Sequence, residues 1–393
     1  MTDLNLMELN NLKEEDESIR QYMICNACRH CEGFCPVWDA MERRNFFEAK
    51  DIKFFSYLCH DCRDCFYACP YSEPHEYGLN IPKINSEARV EIHRNETWPK
   101  PLTKVLNGTY LAGTAILAVS AALLFSVSIY MNGLSTLFAP QATVYSVVPY
   151  DLLVSVGMIL GVYVVAMWIV QGAIFWKDIG GDRAGLFNLK SHALAIHDAL
   201  THRWFKGGGV GCDYPREVGS RTRMVFHMLM FFGILLTILA TSSAAVIQHL
   251  IGYFPPYPIL SLPVLSGTVG GLMIIVGALG FLYMKAVSDK SKASSTMIKM
   301  DYWVVYLLLL TAITGMLSLV TRTSSFMGFI FLIHLAFVGT LFIVAPYSKL
   351  NHNAQWNEVD PGYKATIKFW CPGIDGGPVS LVGPADAAGT HPG

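Results

Sequence analysis

One cysteine pattern occurs twice near the start of the chain, as CNACRHCEGFCP over residues 25–36 and as CHDCRDCFYACP over residues 59–70. Both copies have the spacing C-x2-C-x2-C-x3-C-P, and together they hold eight of the ten cysteines. Three thiols separated by two residues each lie on one tight turn, so they can bind three corners of a compact metal–sulfide cluster. The fourth corner faces away from that turn and needs a distant ligand.

This spacing is that of the runs that hold [4Fe–4S] clusters in bacterial two-cluster ferredoxins, where the fourth cysteine of each run serves the other cluster. Disulfides fit poorly because they need an oxidising compartment, and zinc sites usually show paired C-x2-C knuckles. We interpret the isolated Cys212 and Cys371 as ordinary thiols. The exchange rule then predicts one ligand set of Cys25, Cys28, Cys31 and Cys69, and a second set of Cys59, Cys62, Cys65 and Cys35.

The rest of the chain has the composition of a membrane protein. Hydrophobic residues make up 52% of its 393 residues and charged residues only 15%, against a typical charged share of about 25%. The net charge of −1 gives no basic excess that would indicate nucleic-acid binding. A bilayer-spanning helix needs about 20 apolar residues, and six stretches meet that length: residues 105–131, 147–176, 223–248, 262–286, 302–321 and 326–346.

The distribution of basic residues predicts the orientation of these spans. Lys and Arg are absent from residues 132–146 and 249–261, whereas they are frequent in the loops that alternate with these and in the C-terminal tail. Because basic loops stay in the cytoplasm, both termini and the cysteine runs are predicted to be cytoplasmic. The polar, acidic N-terminus does not resemble a signal peptide.

The segment between the cysteine runs predicts a helical head. Residues 38–58 mix apolar and charged side chains and contain neither Gly nor Pro, which favours a helix over the short strands of a small ferredoxin. We therefore predict an all-α protein with three parts. These are a two-cluster helical ferredoxin domain at 1–100, a six-span membrane domain at 101–350 and a cytoplasmic tail at 351–393.

Four histidines in or near the membrane helices are candidate haem ligands. Burying a histidine in hydrocarbon costs free energy, so a histidine in a membrane helix usually has a function. His227 and His249 are 22 residues apart on the third span, and His334 and His352 are 18 residues apart on and beyond the sixth. At 3.6 residues per turn each pair can share one helix face. One or two b-type haems between the two helices are predicted; helix capping, a polar pocket or a headgroup position are the alternatives.

The other histidines receive a plainer interpretation. His192, His197 and His202 recur every fifth residue, a spacing that scatters them around a helix, so they are predicted to be surface residues. One of them could still replace a failing haem ligand. His60, beside Cys59, could tune a cluster through a hydrogen bond.

The chain resembles the tricarballylate/citrate utilisation protein B family over nearly its whole length. The resemblance rests on the two cysteine runs, on SRTRMVFH at residues 220–227 and on HLAFVGTLFIVAPYSKLNH at residues 334–352. The last segment also looks like the end of the cytochrome b subunit of respiratory nitrate reductases. That likeness implies a membrane bundle of the same kind, with His334 and His352 as haem ligands.

The family resemblance implies an oxidoreductase subunit of the bacterial inner membrane. Such a subunit takes electrons from the reduced FAD of a separate tricarballylate dehydrogenase-like flavoprotein and passes them through iron–sulfur clusters and haem to the quinone pool. No G-x-G-x-x-G follows a strand, so the chain itself is not expected to bind FAD or NAD. The alternatives are a quinol-linked subunit of a heterodisulfide-reductase-like complex, or a membrane redox sensor.

Overall fold

A computed structural model of the protein describes residues 6–42, 45–106, 110–138, 140, 143–180, 189–206, 209, 211–348, 356–357 and 366–367. Nearly all regular structure in this part of the chain is helical, which confirms the predicted all-α class. The exception is a pair of two-residue antiparallel strands, Trp356–Asn357 and Thr366–Ile367. His352 and Cys371 lie outside the described residues.

Six helices form the N-terminal part of the chain, which we call the head (residues 6–106). They are α1 (Leu6–Cys28), α2 (Pro36–Met41), α3 (Ala49–Leu58), α4 (Asp64–Tyr67), α5 (Ile81–Glu96) and α6 (Lys100–Leu106).

The prediction of one continuous helix over residues 38–58 is wrong, because the segment contains two helices. The reason is a capping box at the start of α3. The Glu48 side chain accepts a hydrogen bond from the third residue of the helix, while the Asp51 carboxylate accepts one from the Glu48 backbone N–H at 2.9 Å. These reciprocal bonds satisfy donors that a new helix leaves exposed, so α3 begins afresh at Ala49.

Six long apolar helices follow, as the sequence predicts, although their ends differ from the predicted ends. The largest difference is in the fifth, which begins at Ser295 rather than near residue 302, so that its first turns extend into the basic loop. A shorter helix, α9, lies between the second and third. The set is α7 (Tyr110–Asn132), α8 (Tyr150–Asp178), α9 (Leu189–Thr201), α10 (Thr222–Val246), α11 (Leu262–Val287), α12 (Ser295–Val320) and α13 (Met327–Val344).

Glycines allow a close contact between α10 and α11. A Cβ atom at Gly233 would lie 2.9 Å from the carbonyl oxygen of Gly270, and one at Gly270 would lie 2.7 Å from the carbonyl oxygen of Gly233. The two backbones therefore touch at a point where neither has a side chain. Small residues permit such close packing where no hydrophobic force drives membrane helices together.

Replacing Gly233 with alanine is expected to lower the stability of the bundle by about 1–3 kcal/mol, the usual cost of overpacking. The added methyl group would collide with backbone, which cannot move away as a flexible side chain can. The measurement is the thermal midpoint of the detergent-solubilised protein. Gly267→Ala is the matched control on α11, because its Cβ would lie 3.4 Å from Ala240, an ordinary contact. Equal midpoints for the two variants would contradict this account of the interface.

The head docks on one end of the membrane bundle, which we call the head end. There the Arg63 guanidinium donates to the Asp289 carbonyl after α11, at 2.8 Å. The Ser294 N–H before α12 donates to the Ser86 hydroxyl at 2.6 Å. His93 Nε2 lies 3.0 Å from the Tyr347 carbonyl after α13. The basic loops meet the head at this end, while the cellular side on which it lies stays a prediction.

Acidification is expected to weaken this docking through His93. Burial, which removes water from the imidazolium, lowers the pKa of His93 to about 4. The unfolded chain therefore takes up the proton first, so the stabilisation is complete above the ordinary pKa of about 6.5 and is lost as the pH falls toward 4. At pH 5 the expected loss is about 2 kcal/mol, since each pKa unit corresponds to 1.36 kcal/mol.

The measurement is the thermal midpoint at pH 7.5 and at pH 5, compared with His93→Gln. Glutamine can still donate to the Tyr347 carbonyl but does not titrate, so the variant should lose less stability on acidification than the wild type. The same fall in both proteins would mean that other groups cause the acid sensitivity.

Candidate metal centre

The head contains two cavities that are lined with cysteines. Each has a cavity volume of about 20 Å³. Cys25 and Cys65 line both, whereas each of the others lines only one. We call them the Cys62 cavity and the Cys28 cavity after a cysteine that is unique to each. The Cys62 cavity adds Cys35, Cys59 and Cys62, and the Cys28 cavity adds Cys28, Cys31 and Cys69.

Each cavity is lined by five cysteines: the first three cysteines of one run, the fourth cysteine of the other run, and one further cysteine, which is Cys25 in the Cys62 cavity and Cys65 in the Cys28 cavity. Cys69 of the second run reaches the Cys28 cavity, and Cys35 of the first run reaches the Cys62 cavity. Each lining therefore includes the four thiols that the exchange rule assigns to one cluster. The bonds to iron themselves stay a prediction.

The pKa values of the thiols also show an influence between cysteines of the two runs. Burial raises the pKa of Cys25 and of Cys35, and in each case the strongest further increase comes from a thiol of the other run, Cys69 and Cys59 respectively. Burial also raises the pKa of Cys31 to about 12. Thiolates are therefore costly here without a cation beside them. Iron would supply that charge, and its binding would release the thiol protons.

The loop around Cys62 has a conformation that side chains rarely adopt. Asp61 has φ 49° and Arg63 has φ 70°, both in the left-handed region, which is unfavourable for residues other than glycine. Neighbouring elements hold both residues in place. Arg223 of α10 donates to the Asp61 carbonyl at 2.7 Å, and Arg63 donates to the Asp289 carbonyl. Such strain is typical of functional sites, where the surroundings enforce it.

Within the described residues, no three or more His, Cys, Asp or Glu side chains converge closely enough to hold a single metal ion. The cysteines of the head line cavities and do not converge on the position of a single ion.

The predicted haem ligand His227 lies beside another histidine at the start of α10. Its Nδ1 atom is 2.7 Å from His202 Nε2. The surface prediction for His202 is wrong, because only 3% of this residue is exposed. After α9 the chain turns back onto α10 through Arg203–Lys206, and this turn buries His202 and Phe205 against His227. His197 is exposed, in agreement with the prediction, and His192 is partly buried.

His334 lies on α13 and faces α12. Its Nδ1 atom is 3.2 Å from the Thr314 hydroxyl, which itself donates to the Leu310 carbonyl at 2.8 Å. When this hydroxyl accepts from Nδ1–H, the lone pair of the ring lies on Nε2. That tautomer is the one that binds a metal through Nε2. Gly315 makes room for the ring, since a Cβ there would lie 3.0 Å from His334 Cε1.

The remaining candidates have other surroundings. His249 is exposed at the end of the bundle away from the head, where its Nε2 atom is 3.2 Å from the Tyr150 hydroxyl. His352 is outside the described residues. Helix α10 packs mainly on α11, and α13 packs mainly on α12 and α7. The structure therefore brings His227 together with His202 and leaves the four proposed haem ligands as a prediction.

Sequence reasoning missed a series of aromatic rings between the Cys62 cavity and α10. His60, which lines the cavity, has its ring 6.2 Å from the Phe205 ring, and that ring is 4.4 Å from the His227 ring. These residues come from three separate segments, so no spacing in the sequence relates them. The guanidinium of Arg223 lies 5.7 Å from the centroid of the Phe205 ring, so Arg223 also packs on these aromatic residues.

Comparison with known proteins gives a consistent match along the chain. The family model for citrate utilization protein B matches residues 106–358, and that for the Fer4-like domain of citrate utilization protein B matches residues 18–95. A curated relative, citrate utilization protein B of Escherichia coli, is 34% identical over 354 residues, which is 88% of this chain and 91% of the relative. No solved structure matches.

Proposed function

The chain belongs to the citrate utilization protein B family, and we propose that it is the membrane electron-transfer subunit for a separate flavoprotein dehydrogenase. The partner would oxidise a tricarboxylic acid of the tricarballylate or citrate type. The present chain would reoxidise its reduced FAD and pass the electrons, one at a time, through two [4Fe–4S] clusters to a quinone in the bilayer.

One observation carries this proposal: two cavities, each lined by four or more cysteines, lie in a head that is docked on six membrane helices. The Fer4-like domain indicates an iron–sulfur electron-transfer role. A head in contact with a membrane bundle can deliver electrons to a hydrophobic carrier without releasing them into water. The chain's own contribution is to bind the clusters, exclude water from them and hold them at a defined distance from the membrane.

We place the head in the cytoplasm and the bundle in the bacterial inner membrane. Two features support this orientation. The basic loops meet the head at one end of the bundle, and such loops remain on the cytoplasmic side. The reducing cytoplasm also keeps cysteines available as iron ligands.

We include one or two b-type haems between the clusters and the quinone. His227 and His334 support this part of the proposal. Thr314 can accept the Nδ1–H of His334, and His202 can accept the Nδ1–H of His227, so both rings can present Nε2 to iron. His352 and His249 would complete the ligand set. The haem supplies one-electron chemistry when bound, while these residues hold it and orient its plane.

The test is the composition and the reduced-minus-oxidised visible spectrum of detergent-purified protein. We expect iron and acid-labile sulfide in equal amounts from the clusters, together with additional iron in sharp b-type haem bands. His334→Ala should remove haem bands and leave the sulfide content unchanged. Sulfide without haem bands would reject the haem part of the proposal. Purified protein that contains zinc and no sulfide would reject the electron-transfer function.

A further inference from the structure

The two cysteine-lined cavities are not equivalent with respect to the membrane. Cys62 shares a hydrophobic core with side chains of the membrane helices, among them Met230 of α10 and Phe281 of α11. The other core of the head consists of head residues alone within the described part of the chain. It contains Cys25, Cys31 and Cys69 and also Cys35, Cys59 and Cys65, so Cys62 is the ligand of its predicted set that reaches the bundle. The Cys62 cavity therefore borders the bundle, and the Cys28 cavity lies farther into the head.

Several residues that line the Cys28 cavity are exposed to solvent. His30, which lines it, is exposed, and Cys28 and Cys69 are themselves partly exposed. Cys25 and Cys31 of the Cys28 cavity are as buried as Cys62, so the difference lies in the histidines: His60, which lines the Cys62 cavity, is 1% exposed. A soluble donor can approach the first cavity, whereas the second is closed off by the membrane body.

Polar contacts fix the Cys62 loop against the bundle. Arg223 donates to the Asp61 carbonyl at 2.7 Å, and the Asp213 N–H donates to the Asp64 carboxylate at 3.0 Å. These contacts come from both sides of the cysteine and include α10 itself. They hold the loop at a defined separation from His227, which lies one helical turn after Arg223.

Rings fill the space between this loop and α10. The Phe205 ring lies between His60 and His227, with centroid distances of 6.2 Å and 4.4 Å. His202 packs on the same group, with its ring centroid 4.8 Å from that of His227. At the Cys28 cavity the contact with the membrane domain is made by a loop: Lys292, between α11 and α12, lies 3.9 Å from the ring of Phe66, which lines that cavity.

We infer that the cluster at the Cys62 cavity is the exit cluster, that the cluster at the Cys28 cavity receives electrons from the donor, and that His60 and Phe205 form the path to α10. This inference rests on the proposed function and adds the order of the two clusters. The step is an electron transfer. Cys59, Cys62, Cys65 and Cys35 would hold the exit cluster, which would supply one-electron chemistry. A b-type haem at the head end of α10 would take up each electron without a proton, whereas a quinone would take up two electrons and two protons from water.

The test is a single reoxidation of full-length protein in lipid nanodiscs. The clusters are reduced with dithionite, excess reductant is removed, and a short-chain quinone is added while each cluster is followed by electron paramagnetic resonance. Cys28→Ala leaves the exit cluster, which should be reoxidised at the wild-type rate. Cys62→Ala leaves only the cluster at the Cys28 cavity, and the fast phase of reoxidation should be absent from this variant. The reverse result, or equal rates, would overturn the order.

A second pair of variants tests the path without removing a cluster. Phe205→Leu keeps an apolar side chain of similar size but removes the ring, and reoxidation of both clusters should slow roughly tenfold, as for a barrier raised by about 1.4 kcal/mol. Phe175→Leu is the matched control, because Phe175 is a buried ring at the same head–membrane interface that contacts Tyr57 instead. Equal rates in the two variants would overturn the path.

Reoxidation of the wild-type protein distinguishes a failure of this inference from a failure of the proposed function. If quinone does not reoxidise the wild-type clusters while soluble ferricyanide does, the proposed function fails. If quinone reoxidises them but the variants do not differ as stated, only the order or the path fails.

Discussion

Replacing Cys62 with alanine is expected to lower the iron content of the purified protein from about eight atoms per chain to about four, leaving haem iron aside. Cys62 lines only the Cys62 cavity and is almost fully buried, so water cannot easily take the place of the lost thiolate. The other cavity keeps all four of its predicted ligands. The measurement is iron and acid-labile sulfide per chain, together with the resonance signal of the remaining cluster.

Cys212→Ala is the matched control for this variant. Cys212 is a fully buried thiol in the same core as Cys62, but it lines neither cavity and its thiol donates to the Phe205 carbonyl at 3.5 Å. Its replacement should leave the iron content unchanged. The cluster assignment is contradicted if Cys62→Ala retains all of its iron, or if Cys212→Ala loses as much as Cys62→Ala.

Replacing Arg223 with methionine is expected to destabilise the docked head by about 3 kcal/mol, the cost of a lost charged hydrogen bond and a desolvated cation–π contact. Arg223 is completely buried, donates to the Asp61 carbonyl, and lies 5.1 Å from the Tyr214 ring. Methionine fills much of the space but donates nothing. Because Asp61 has a left-handed backbone, we expect the Cys62 loop to relax and the exit cluster to be lost first on heating.

The measurement is the rate of cluster bleaching and the thermal midpoint, with Arg203→Met as control. The Arg203 side chain is 57% exposed, lies 5.0 Å from the Trp204 ring and pairs with Asp198 at 3.6 Å. The Asp198 side chain of this pair is only 1% exposed, but Arg203 itself remains largely in water, so this variant should lose less stability than Arg223→Met. Arg223 would have no docking role if the two variants behaved alike.

The features that the sequence predicted correctly depend on short-range rules. The six membrane helices follow from the length of apolar stretches, which needs no knowledge of contacts. The two cysteine runs predict a cluster domain because the thiol spacing itself encodes the geometry of a tight turn. The helical head likewise follows from residue types within one segment.

The features that the sequence did not predict depend on contacts between distant segments. The predicted surface position of His202 rests on a five-residue spacing that scatters histidines around a helix, yet the turn after α9 buries His202 against His227. The break before α3 depends on side-chain caps at Glu48 and Asp51, which periodicity does not detect. Phe205 lies in a loop without any motif, and only the packed structure places it between His60 and His227.

The most direct test of the electron-transfer function is whether quinone reoxidises the reduced clusters of the wild-type protein in lipid nanodiscs. We predict that the resonance signals of both clusters disappear after quinone is added, with one quinone reduced for every two electrons released. Clusters that stay reduced with quinone, but are oxidised at once by ferricyanide, would contradict a path from the head to the membrane.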